Sequence, residues 1–530
     1  MSSCSASQNK IKQRLNYLKT ANNKAFNYKI GLEKESLRVD KNGFLSNKAH
    51  PDALGQSFTN SFITTDFCES QLELITPPLH NIDKSLQFLT DLHSFVYKNI
   101  TKEQEILWAS SMPCIIADEE HIPIATYGKS NQGMMKHIYR QGLALRYGKL
   151  MQTITGVHIN FSFSDIFWQE LSRLENSNQN IQDFITSNYM SGIRNMQKMG
   201  WLIPYLFGSS PAICKSFLQG APTKLKILDD STYYHPYATS LRMGDIGYQN
   251  NIESKNGFKA NYDNLAKYIQ GLQQAINTRC QKYNDLSIIK NNKYQQLNSN
   301  ILQIENEYYS TVRPKQICEL NQSPNLALKE NGILYVELRS SDVDLFSPIG
   351  VNRNQLYFVV LWIYYCTLKH SNNLSAQQKK EIDENEIKVA HFGRSPNLML
   401  QKNGKKINLK DWGLSICKEM ESLAKLLDSH QNSNSFRASL KMQINKFKDQ
   451  KFTPSARVLK NLSSQSFHRF ASHKSQQYVK YFKGKEINEE HENMIIKEVS
   501  KSIKSFDAEQ KKTEPDFKIF IDDYYKKNIC

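Results

Sequence analysis

Apolar and polar positions alternate with a period of two at several well-separated places in this chain, and each such run predicts a half-buried strand. In Val157-His-Ile-Asn-Phe-Ser-Phe-Ser164 the alternation has no fault: Val157, Ile159, Phe161 and Phe163 oppose His158, Asn160, Ser162 and Ser164. Ile30-Gly-Leu-Glu-Lys-Glu-Ser-Leu-Arg-Val39 puts Glu33 and Glu35 on one face. From Cys68 to Ile75, Glu69, Gln71 and Glu73 oppose Leu72 and Leu74, with Asp66 just upstream. Leu302–Tyr308 sets Gln303, Glu305 and Glu307 against Leu302 and Ile304. Ile333–Arg339 sets Glu337 and Arg339 against Leu334, Val336 and Leu338, and Arg313 follows the fourth of these runs.

A helical period appears between them. Leu86, Leu89, Leu92 and Val96 form one stripe within 82–100, and Leu265, Tyr268, Ile269, Leu272 and Ile276 form another. Leu356–Cys366 is apolar throughout but shorter than the ~18 residues a membrane span needs, so a buried helix is expected there. Residues 370–380 read as a polar link ahead of a mainly helical end region.

The polar strand faces carry the chemistry. Solvated faces usually mix threonine, serine and lysine, whereas acids mark four of these five runs, joined by one histidine and two arginines. Clustered carboxylates repel unless a cation sits among them, and oxygen-rich sets of this kind suit magnesium, or manganese when an imidazole joins. The motifs are scattered from 28 to 340 and must converge, so we expect one non-local unit over 1–370 and a mainly helical region over 371–530 packed on it. A length-only prior of roughly one domain per 150 residues would instead suggest three or four.

Composition narrows the function classes. The formal charge is +17, and residues 371–530 hold 30 basic against 20 acidic residues. Those lysines are spread among acids without a block of like charge, which reads as solvated helical faces rather than a nucleic-acid-binding tail. The nine cysteines are far apart with no C-x-x-C pair, the pattern of reduced intracellular thiols, so a cytoplasmic location is expected; a regulatory disulfide stays open. The start has no apolar h-region. There is no G-x-x-x-x-G-K-[ST] and no G-x-G-x-x-G after a strand, so any nucleotide must be held by metals and side chains.

The longer motifs resemble the bacterial glutamate–cysteine ligases, of proteobacterial type. They are Gly31-Leu-Glu-Lys-Glu-Ser-Leu-Arg-Val39, Ile63-Thr-Thr-Asp-Phe67, Leu72-Glu-Leu-Ile-Thr-Pro77, Ser111-Met-Pro-Cys114, Leu150-Met-Gln-Thr-Ile-Thr-Gly-Val-His158, Pro204-Tyr-Leu-Phe-Gly208, Tyr237-Ala-Thr-Ser-Leu-Arg242 and Arg313-Pro-Lys315. The likeness runs from about 28 to 355 and thins beyond 370. It implies an α+β fold with an antiparallel sheet, similar to the glutamine synthetase catalytic sheet, whose concave polar face is the site and whose helices pack outside.

The resemblance also implies an activity and its residues. ATP phosphorylates the γ-carboxylate of L-glutamate, and the amine of L-cysteine attacks the acyl phosphate to give γ-glutamylcysteine, the first step of glutathione synthesis. Glu33, Glu35, Asp66, Glu73, His158 and Glu337 match the metal-binding positions, Arg339 matches an arginine at the phosphoryl-transfer site, and Arg313 is a second phosphate partner. Phe67, Tyr139, Arg140, Arg242 and Tyr248 match positions around the amino acids. Expected partners are these small molecules with Mg2+ or Mn2+, neither nucleic acid nor membrane, in a monomer; feedback binding of glutathione stays open. The alternative is a related ATP-dependent ligase joining glutamate to another amine.

Overall fold

The alternating runs assemble into one seven-stranded antiparallel sheet. Its strands are β1 (Tyr28–Asp40), β2 (Ile63–Thr65), β3 (Gln71–Ile75), β4 (Glu105–Leu107), β5 (Val157–Phe163), β6 (Val312–Lys315) and β7 (Tyr335–Ser341). They lie in the order β6-β7-β5-β1-β3-β2, with β4 paired to the far end of β1. This computed structural model describes residues 2–247, 258–319 and 322–527, with side chains throughout except at 2–9 and 23.

The apolar strand faces bury against helices. The helix α1 (Ile82–Ile100) starts at Asn81, whose side chain accepts from the Asp83 and Lys84 amides, and its Leu89, Leu92 and Val96 are fully buried. The helix α3 (Arg353–Leu368) is apolar on every side, and each residue from Gln355 to Leu368 is buried. Its Tyr364 ring meets Phe161 and Phe163 of β5 edge-on, at centroid distances of 5.6 and 4.8 Å. Between α1 and α3 in sequence lies α2 (Asn131–Tyr147), which crosses the polar side of the sheet instead.

Beyond α3 the chain is mainly helical, although a two-stranded hairpin, Met399–Lys402 with Lys405–Asn408, interrupts the helices. The polar link is shorter than 370–380. Ser375 and Gln378 form a reciprocal capping box, so a helix already begins at Ala376. The last helix described, α4 (Phe517–Lys527), returns to pack on α2. One buried apolar cluster extends from Ile11 to Ile495.

One expected strand is absent. Leu302–Tyr308 is a loop ending in a 3-10 turn at Glu305–Glu307, not an extended segment. Side-chain bonds decide it: the buried Arg146 guanidinium and the Tyr147 hydroxyl donate to Glu307, which also accepts from the Gln303 amide. A run of alternating residues this short carries no information about such distant partners.

Candidate active site

Strand register determines which polar side chains meet. Glu33 of β1 lies opposite His158 of β5, and Glu35 opposite Glu73 of β3. On the other flank of β5, Glu337 of β7 pairs with Asn160, and Arg313 of β6 pairs with Glu337. The polar face therefore carries a continuous row from Arg313 to Glu73. Asp66 joins through the turn before β3, where Gln71 Nε2 donates to its Oδ2 at 3.3 Å.

His158 sits at the middle of the row. Its Nδ1 lies 3.1 Å from Glu33 Oε2 and 3.6 Å from Glu337 Oε1, and its Nε2 lies 3.6 Å from Glu35 Oε1. Asn160 Nδ2 donates to Glu33 Oε1 at 2.7 Å, and the Gly156 amide donates to Glu35 Oε2 at 2.7 Å. A Cβ at Gly156 would fall 2.2 Å from the buried Arg242 guanidinium, so any side chain there would displace it. Arg242 in turn donates to the Arg339 carbonyl at 2.8 Å.

Charge is segregated along the row. At the β7 end, Arg339 pairs with Glu337, whose second oxygen is 3.4 Å from Lys315 Nζ. Burial pushes the Glu337 carboxyl up, but Arg339 and Lys315 outweigh it and hold it well below the usual carboxylate range. At the β3 end the acids have no lysine or arginine ion pair among the described residues. Burial, then the neighbouring Glu33, Asp66 and Glu35, hold the Glu73 carboxyl well above its usual value. Burial also raises Glu35, whereas the His158 hydrogen bond brings Glu33 below its ordinary value against the effect of burial.

That acid-rich end could hold a divalent cation. Glu33, Glu73 and His158 each offer a ligand atom, all within 4.8 Å of one another, with Glu35 and Asp66 beside them. Carboxylate oxygens with one imidazole suit magnesium or manganese. The basic end, with Arg339, Lys315 and Arg313, suits the oxygens of a phosphate.

A cavity of about 400 Å³ opens in front of the row. Phe67, Tyr139, Arg140 and Arg242 line it beside the acids, so four of the five expected substrate residues converge there; Tyr248 lies outside the described residues. Arg140 reaches from α2 to the Asp66 carbonyl and stacks 4.8 Å from the Tyr127 ring. Glu69 does not join, because it precedes β3 and accepts from Thr126 instead. Glu305 is also elsewhere, accepting from the Asn325 amide.

Several lining residues escaped the sequence reading. Lys315 is two residues from Arg313, on the same face of β6, a spacing that could have revealed it. Lys136 is one helical turn before Tyr139 and Arg140, another legible signal. Tyr309 sits in irregular chain and Asn306 in the 3-10 turn, and neither left one.

Comparison with known proteins gives the family. A model of the glutamate–cysteine ligase family matches residues 15–389, so this chain belongs to that family. It is 43% identical to the glutamate–cysteine ligase of Alcanivorax borkumensis over 448 residues, 83% of this chain and 85% of that one. To the glutamate–cysteine ligase of Janthinobacterium sp. it is 40% identical over 497 residues, 93% of each. The crystal structure of Francisella tularensis glutamate–cysteine ligase in complex with AMP superposes with a TM-score of 0.88 at 34% identity, covering 95% of this chain and 98% of that chain. A bifunctional glutathione synthetase from Pasteurella multocida shares the fold, with a TM-score of 0.70 at 22% identity over 94% of this chain and 57% of its own. The fold is thus α+β, with an antiparallel sheet of the glutamine synthetase-like ligase kind. Among the described residues no helix is long and apolar enough to cross a membrane.

Proposed function

We propose that this protein is an ATP-dependent glutamate–cysteine ligase. The observation that carries the reading is the split row itself: an acid-rich end that can take a cation adjoins a basic end that can take phosphate, on one wall of one cavity. The relatives named above agree with it, and the Francisella tularensis enzyme was solved with AMP.

The reaction needs no protein nucleophile. A γ-carboxylate oxygen of glutamate attacks the terminal phosphorus of ATP, and ADP leaves. The free amine of cysteine then attacks the acyl carbon of the γ-glutamyl phosphate, phosphate leaves with the carboxylate oxygen, and the nitrogen releases a proton. Phosphoryl transfer of this kind is mostly positioning and charge neutralisation. Arg339, backed by Glu337, offers a planar fork to the phosphoryl group in flight, and Arg313 and Lys315 balance charge beside it.

Glu33, Glu35, Asp66, Glu73, His158 and Glu337 would hold magnesium or manganese, which would supply positive charge to offset that of the phosphates during transfer. Phe67, Tyr139, Arg140 and Arg242 surround the amino acids in this scheme; Tyr248, matched to the same role by resemblance, lies outside the described residues. Arginine suits the amino acids' carboxylates because its fork binds two oxygens at once.

The seven cysteines whose side chains are described are free, in keeping with the cytoplasmic location proposed for this protein. Glutathione carries the same γ-glutamylcysteine unit and would enter the amino-acid side of the cavity as a feedback ligand. The deciding assay is ADP release with ATP and glutamate, with and without cysteine. Release that cysteine does not increase, but another amine does, would favour the ligase with a different acceptor.

A further inference from the structure

The helix α4 and the segment before it grip α2 at two points. At its start, the Asn131 amide donates to Glu514 Oε2 at 2.6 Å, which gives a free helix N-terminal N–H a carboxylate partner. The Asn131 side chain donates to the Pro515 carbonyl at 2.8 Å. Further along, Phe517 and Ile521 of α4 form a small buried cluster with Ile138 of α2 and Leu297, separate from the main core. Met135 and Tyr139, both of which line the cavity, pack on that cluster.

A hydrogen-bond relay connects the same helix to the cavity wall. The Tyr525 hydroxyl donates to the Gln303 carbonyl at 2.9 Å, and Asn298 donates to both, at 2.7 Å to the hydroxyl and 3.1 Å to the carbonyl. The Gln303 side chain is fully buried; its oxygen accepts from the Leu297 amide at 3.0 Å, and its nitrogen donates to the Tyr139 carbonyl at 3.2 Å. Gly142, one turn on from Tyr139, makes room for that side chain, since a Cβ there would lie 2.1 Å from Gln303 Oε1.

We infer that α4 is a strap that fixes the amino-acid wall of the cavity, with Tyr525 a positioning residue acting through Gln303 on Tyr139. This rests on the placement of the amino acids against Tyr139 and Arg140 proposed above. The acid and base row belongs mainly to the sheet, whereas the strap holds α2 and the loop 296–307, which meet the row through the Arg140 bond to the Asp66 carbonyl and the Arg313 bond to the Asn306 carbonyl. Loosening the strap therefore shifts amino-acid binding far more than the nucleotide side, whose strand-borne residues stay in place.

The test uses the full chain with Tyr525→Phe, which removes one hydroxyl, and Gly142→Ala, which improves helix propensity while displacing Gln303. Ile519→Ala, on the exposed side of α4, is the control. In both test variants KM for glutamate or cysteine should rise about three- to tenfold, the scale of one net hydrogen bond. KM for ATP and kcat should stay within about twofold, since uniform binding alone is lost. An unchanged amino-acid KM in either variant, or a matching rise in KM for ATP, overturns the strap. If the wild type releases no ADP with glutamate and cysteine, the ligase reading fails by itself. The strap is then judged by amide hydrogen exchange in 131–147, which both variants must accelerate and the control must not.

Discussion

Glu35 of β1 and Glu73 of β3 are register partners, so two carboxylates face each other directly across neighbouring antiparallel strands. Like charges in that position destabilise a strand pair, and burial makes the repulsion stronger. A sheet keeps such a pair only where something else is gained, and here both groups face the cavity.

Replacing Glu73 by Gln therefore has two opposite effects. Relief of the repulsion leaves the melting temperature unchanged or raised, while ATP turnover falls by about 100-fold or more through loss of a cation ligand. Calorimetry and ADP release on one preparation check both. Near wild-type turnover would remove Glu73 from the cation set.

Chelation gives an independent check on the same row. EDTA should abolish ADP release, and added Mg2+ or Mn2+ should restore it, with Glu33→Gln needing about tenfold or more extra metal. Full activity in the chelated protein would contradict the cation site.

At the other end of the row, Arg339→Lys keeps the charge but loses the planar fork. We expect kcat to fall by about 10²–10³, as when an oriented donor to a transition state is removed, with KM for glutamate little changed. Steady-state kinetics settle it, and an unchanged kcat places Arg339 away from the transferred phosphoryl group.

The fold depends on a second buried pair on β1. Arg38 and Glu105 are 2.7 Å apart with side chains 0% and 2% exposed, and Arg38 also donates to the carbonyls of Lys48, Ala49 and Glu69. Arg38→Met strands the Glu105 carboxylate and should cost about 3–5 kcal/mol in a denaturant melt. A loss under about 1 kcal/mol would mean the carboxylate finds another partner or water.

His50 introduces acid sensitivity. Burial, then the nearby Arg38 charge, brings its imidazole down to about 3, and neither ring nitrogen has a hydrogen-bond partner among the described residues. The unfolded chain takes up that proton near pH 6.5, so stability falls as pH drops from about 6.5 towards 3. His50→Phe should flatten that part of the stability–pH curve. Parallel curves for the two proteins would show that His50 does not titrate on unfolding.

The alternation of Val157–Ser164 and of Ile30–Val39 was enough to identify β5 and β1, because a period of two is a local property of extended chain. It also gave the faces of Glu33, Glu35, His158, Glu337 and Arg339 correctly. It failed at Gln303–Glu307, where the same alternation belongs to a turn whose carboxylate is taken by Arg146, far away in sequence. It was silent on α4, whose part in the cavity wall depends on Tyr525 meeting Gln303.

By itself, then, the sequence determined that Ile30–Val39 and Val157–Ser164 extend, that 82–100 and 265–276 coil, and which face of β1 is acidic, since spacing along a strand or helix is enough to decide these. Only the tertiary structure decided that β5 lies between β1 and β7 and that Glu337 rather than Glu307 joins His158. Those outcomes depend on strand register and on partners more than a hundred residues apart, and no local periodicity encodes either one.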